Sequence, residues 1–212
     1  MKFDSTMRQN FEQGLNGLLR MDGGAYAYFA GTRLAVFSAL IAVVFLSELV
    51  FLCLSLLAPQ LRADPWSYPR VALGEVCQYL VIITIIQAAA ERWGREALWP
   101  RCATAILSAT ALTNLFLIFG VLAGSALILI LMDDASQARR ALSGVPVMLS
   151  IYLIIVMCRV LRAGLKIQWR QVAAIMVLSL VASVFVVQVG TRLNHNLPAR
   201  SLWLDPAKPK AP

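Results

Sequence analysis

The sequence predicts an all-α integral membrane bundle of five transmembrane helices, led by an N-terminal amphipathic interfacial helix. Three observations carry that prediction. Of the 212 residues 59% are hydrophobic and 14% charged, against about 25% charged in an ordinary soluble domain. The mean hydropathy is +0.72. The apolar residues also lie in continuous runs of membrane-crossing length, about 20 residues each, whereas barrel strands would alternate. Finally, the basic residues crowd one side of those runs. A net charge of +8 could point to nucleic acid, but no finger, P-loop or aromatic-basic interleave accompanies it. Lys and Arg in short loops beside anionic head groups account for it instead.

Residues 1–30 form the N-terminal segment. "MKFDSTMRQNFEQGLNGLLRMDGG" is too polar for a signal peptide, which needs an apolar stretch directly after its basic start. Met7, Phe11, Leu15, Leu18 and Leu19 recur at helical spacing, and Arg8, Glu12, Gln13, Asn16 and Arg20 lie largely off that stripe. The pattern predicts a short helix in the head-group plane. Gly14 and Gly17 weaken it by about 1 kcal/mol each relative to Ala, so it forms only against a membrane or a partner. "DGG" then reads as a turn, and Tyr26, Tyr28 and Phe29 as interface anchors.

Residues 31–190 hold the spans, at about 34–58, 71–90, 109–132, 142–160 and 172–190. The link "APQLRADPWSYPR" places Trp66 and Tyr68 at interface depth. The second span is interrupted by Glu75, Gln78 and Gln87. From Cys102 to Met132 the run is roughly 46 Å as a helix, too short for two spans, so one steeply tilted helix, or one span with an interfacial lead-in before about Ala109, is expected. Pro146 fits a first helical turn. Residues 191–212 read as a flexible Pro-rich tail whose one sticky patch is "SLWL".

Orientation follows from the basic residues. Lys2, Arg8, Arg20, Arg33, Arg92, Arg95, Arg101, Arg159, Arg162, Lys166 and Arg170 share one side. Arg62, Arg70, Arg139, Arg140, Arg192 and Arg200 share the other, with Lys208 and Lys210 too distant to count. The expectation is a bacterial cytoplasmic (inner) membrane protein with its N-terminus cytoplasmic and its C-terminus periplasmic.

Chemistry is sparse. Glu48, in "FLSELVF", sits where an unpaired ionised carboxylate is very costly. It reads either as a proton, ion or substrate relay or as a polar partner for Gln78, Thr84, Asn114 or an Arg, worth roughly 1 kcal/mol. Glu75 lies near the start of its span, where interface exposure suffices. Asn114 clusters with Thr110 and Thr113. Gly120 and Gly124 make a small-xxx-small packing face. Cys53, Cys77, Cys102 and Cys158 lack ligand spacing and read as small hydrophobes. His195, the only histidine, leaves no haem pair and no His-based triad. The intramembrane serines, Ser47 among them, read as satisfied by carbonyls of the preceding turn. No catalytic residue, metal site or cofactor is expected.

"GLNGLLRMDGGAYAYF" before a long first span, followed by "AAAERWGREALWPRCATAILSATALTNL", resembles a family of small multi-spanning inner-membrane proteins of proteobacteria. In topology that family is remotely similar to the five-span Yip family. The similarity covers residues 14–190. "RWGRE" at 92–96 matches an "RxLGRE"-like turn, while "ILSATALTN" lacks the aromatic and Trp-Asn character of the nearest members. The resemblance implies a cytosolic N-terminus and a role in membrane organisation or protein partnering, and it carries no catalytic residues.

The function expected is a non-catalytic accessory or scaffolding subunit of a membrane protein complex. Its partners would be membrane lipids and another integral membrane protein or a second copy, with no nucleic acid. The alternatives are a channel- or transporter-like component using Glu48, and an intramembrane lipid-modifying enzyme.

Overall fold

A computed structural model describes residues 5–57, 67–131 and 135–193. The chain forms six α-helices there: α1 (Ser5–Leu19), α2 (Arg33–Leu57), α3 (Ser67–Arg92), α4 (Trp99–Leu131), α5 (Ala135–Leu165) and α6 (Trp169–Leu193). Short 3-10 turns at Gly23–Tyr28 and Glu96–Leu98 precede α2 and α4. Among the described residues five helices are long and apolar enough to cross a membrane, over Arg33–Leu54, Val71–Arg92, Glu96–Gly124, Gly144–Leu165 and Trp169–Val189. The expected fold class is the one observed. The tail from residue 194, with His195 and "SLWL", lies outside the described residues, as does the link 58–66 with Trp66.

Local signals fix the helix ends. Thr32 Oγ1 accepts from the Ala35 N–H at 3.2 Å, a side-chain cap on the first free donors of α2. Pro69 falls in the first turn of α3, where its missing N–H costs nothing. Three helices end at the same side of the bundle in left-handed residues, Met21 (φ 55), Gly94 (φ 64) and Lys166 (φ 52). The next amide in each case reaches back to an orphan carbonyl: Asp22 to Gly17, Arg95 to Ala90 and Ile167 to Arg162.

Helix α4 is the central element, packed along α2 on one side and α5 on the other, while α6 packs chiefly on α3. The cause is its small-residue composition. Every residue from Cys102 to Thr110 is buried, among them Ala103, Ala105 and Ala109. Side chains of that size let neighbouring backbones approach closely, which is how membrane helices gain packing energy without a hydrophobic drive between them. Among the described residues Cys102–Thr110, most of it before Ala109, is the longest unbroken buried run. Gly120, by contrast, would meet only Val145 Cγ1 at 3.5 Å if it carried a Cβ, an ordinary contact. Gly124 is half-buried. The tight packing lies elsewhere on α4.

Two further expectations are corrected. Pro146 is inside α5, because the Ala-, Gln- and Arg-containing stretch before it carries the helix upstream to Ala135. Its missing N–H leaves the carbonyl one turn upstream without its helical donor, and such interruptions occur in membrane helices. Of the anchors expected in the N-terminal segment, Tyr26, Tyr28 and Phe29, Tyr28 is the well-exposed one. Phe29 is 4% exposed, meets Phe11 edge to face, and Tyr26 packs on the core. The small turn at Gly23–Ala25 causes this. A Cβ on Gly23 would lie 2.8 Å from the Arg159 carbonyl, so only glycine lets the turn sit against α5 and aim Tyr26 and Phe29 inward.

Helix α1 forms where expected, and its support comes from this chain's own bundle. The Tyr152 hydroxyl donates to the Leu18 carbonyl at 2.9 Å, and Arg159 Nη1 to the Met21 carbonyl at 2.9 Å. Leu18 is fully buried, whereas Phe11 and Leu19 stay exposed.

Candidate functional site

Three buried side-chain atoms have no hydrogen-bond partner among the described residues: Glu48 Oε1, Glu75 Oε2 and Asn114 Nδ2. They come from three helices and share a depth. Glu48 lies about 22 Å along α2 from Arg33, and Asn114 about 22 Å along α4 from Trp99. Glu75 lies about 26 Å from the Arg92 end of α3. The starts of α2 and α4 are adjacent, since a Cβ on Gly31 would touch the Arg101 side chain. The three residues thus define one polar layer inside the apolar spans.

The bond that crosses helices in this layer runs from the Ser47 hydroxyl to Glu75 Oε1. Among the described residues no donor, from Gln78, Thr84, Asn114 or an Arg, reaches Glu48 Oε1. Adjacent helical residues point about 100° apart, so Ser47 faces α3 while Glu48 turns away from it. Glu48 opens instead onto a groove of about 320 Å³ lined by Phe45, Leu49 and Leu52. The groove continues a stripe of exposed α2 residues, Leu34, Phe37, Ile41 and Phe45, which recur at one-turn spacing with Glu48 on the same face.

The other sequence candidates are locally occupied or peripheral. Thr84 bonds the Leu80 carbonyl, Thr110 that of Ile106 and Thr113 that of Ala109. Gln78 is half-buried on α3, three residues from Glu75. Glu75 itself is no interface residue: it is half-buried and fixed by Ser47. Sequence reasoning passed over the Ser47–Glu75 pair because a hydroxyl in a membrane helix usually bonds its own preceding turn. The available signal was the pairing of a serine with a carboxylate at matching depth on antiparallel neighbours. Among the described residues no three His, Cys, Asp or Glu side chains converge in a way that could hold a metal ion.

Ser47→Ala is expected to lower the stability of the purified chain by about 1–3 kcal/mol, because it leaves both oxygens of a buried carboxylate unbonded. Adding Glu75→Leu should restore most of that loss. Thermal unfolding of the wild type and the two variants in one detergent checks both statements.

No family model, curated protein or solved structure matches this chain.

Proposed function

We propose that this multi-spanning membrane protein is an accessory or scaffolding subunit whose α2 face docks a transmembrane helix of a partner protein. The observation that carries the reading is Glu48, an intramembrane carboxylate that lines an apolar groove on the α2 face. Where it lines the groove it offers an acceptor to a donor from outside the chain, a hydroxyl, amide or basic side chain at matching depth. A second copy is the poorer occupant. A two-fold pairing about this groove sets Glu48 against its own equivalent, acceptor against acceptor. The proposed resemblance to the proteobacterial inner-membrane family, and to the Yip family in topology, agrees with a partnering role. The basic-residue asymmetry supports a cytoplasmic N-terminus in a bacterial inner membrane.

A photo-crosslinking residue at Phe45, on the exposed rim of the groove, tests the reading. In native membranes the expected product is a stoichiometric adduct with one membrane protein of different sequence. An adduct only with lipid, or only with a second copy, would overturn it. A second reading, conduction, is favoured by the polar layer of Glu48, Glu75 and Asn114. Proton or cation flux in liposomes that Glu48→Gln abolishes would put conduction in place of the scaffold.

A further inference from the structure

At the end of the bundle that carries the N-terminal segment lies a cavity of about 800 Å³, between the turn after α1, the last turns of α5 and the start of α6. Arg20, Arg159, Arg162 and Lys166 line it, with Trp169 at one wall. The one carboxylate in the lining, Asp22, is engaged with the Gly24 N–H at 2.8 Å. Its single negative charge faces four cationic side chains, so the lining stays net positive.

Cations at a helix C-terminus often serve only to complement the last carbonyls, but these residues are placed for more than that. The Ile167 amide already closes the Arg162 carbonyl. Arg159 spends one N–H on the Met21 carbonyl of the N-terminal segment and keeps its other donors. Arg162 lies over the Trp169 ring, 4.6 Å from its centre, which holds the guanidinium at the cavity wall. Lys166 occupies the left-handed position that ends α5, φ 52, where glycine is the usual residue. A lysine there adds charge to the cavity at the expense of backbone comfort.

Depth decides the ligand. The apolar span Gly144–Leu165 ends at this cavity and Trp169–Val189 begins at it. Trp169 is half-exposed, as an interfacial tryptophan is. We propose that the cavity binds the phosphate head group of an anionic membrane lipid, with the acyl chains lying along α5 and α6. Arginine forks and a lysine ammonium recognise a phosphodiester. Zwitterionic lipids present an ammonium that the same cluster repels, so the site selects for net negative charge. The inference is independent of what α2 docks.

Native mass spectrometry of the full chain in mild detergent, titrated with phosphatidylglycerol or phosphatidylcholine, tests it. The wild type is expected to retain phosphatidylglycerol in excess, and millimolar inorganic phosphate should leave that excess intact. Arg162→Gln with Lys166→Gln should weaken retention on the order of tenfold or more, given the energy of each charge near a lipid surface. Arg92→Gln with Arg95→Gln, basic residues at the same end but outside the cavity, should leave it unchanged. Equal retention of the two lipids, indifference to the Arg162 and Lys166 replacements, or displacement by free phosphate would each overturn the proposal. Both replaced side chains are exposed; should the double variant lose its fold, the wild-type contrast between the two lipids decides alone.

Discussion

Replacing Glu48 with Leu is expected to abolish the crosslinked complex while leaving the isolated chain at least as stable as the wild type. Glu48 Oε1 is buried without a hydrogen-bond partner among the described residues. Removing it eliminates an unmet desolvation cost of about 1–3 kcal/mol. It also removes a carboxylate close enough to Glu75 to interact with it electrostatically. In the complex the same change strands the partner's donor in hydrocarbon, and breaking one side of a buried polar pair is strongly destabilising. Glu48→Gln keeps an acceptor and adds donors, so most of the complex should survive. Thermal unfolding of the purified chain and crosslink yield at Phe45 in membranes supply the two readouts. A Glu48→Leu chain destabilised on its own by more than about 1 kcal/mol would mean that Glu48 is bonded within the chain.

Gly164→Ala is expected to destabilise the bundle by about 1–3 kcal/mol, the usual cost of overfilling a packed core. Gly164 sits on α5 where the helix crosses α4 and the N-terminal turn. A Cβ there would overlap Cys102 Sγ and touch the Tyr26 ring at 3.4 Å. Cys102 is fully buried in the best-packed stretch of α4, so the sulfur has little room to move. Cys102→Ala vacates that space at a modest packing loss. The double variant should therefore be more stable than the sum of the two single effects, since contacting residues couple. Strict additivity in thermal unfolding would show that the close approach at Gly164 contributes nothing. The exposed Gly94, with nothing within 4 Å of a Cβ but φ 64, is a glycine of another kind, needed for its backbone angle alone.

The five spans were legible because bilayer thickness imposes a length that apolar runs either meet or miss. Burial within them was less legible, and the reason is physical. In a water-soluble protein hydrophobicity sorts inside from outside, but here Ile41 on the exposed stripe of α2 and Ile106 in the core are equally apolar. What distinguishes the core of α4 is residue size, as in Cys102–Thr110. Gly120 and Gly124 follow the same principle, and a Cβ on Gly120 would make an ordinary contact with Val145. Glu48 was legible as an isolated intramembrane carboxylate. Its direction was not, because a rotation of one residue separates Ser47, bonded to α3, from Glu48 in the open groove. The docking of Tyr26 and Phe29 depended on Gly23 lying against α5, a contact between residues too distant in the chain for any local pattern to register.

That distance sets an order of events during synthesis. Leu18 and Met21 leave the ribosome well before their hydrogen-bond donors, Tyr152 and Arg159, which follow 134 and 138 residues later. At about 5–20 residues per second, the amphipathic first helix waits on the order of ten seconds before its seat exists. Through that interval its exposed Phe11 and Leu19 and the ring of Phe29 have only the membrane surface to lie on. Closure of the N-terminal segment onto α5 is therefore a late event in biogenesis: it marks a chain whose fourth span has already been inserted.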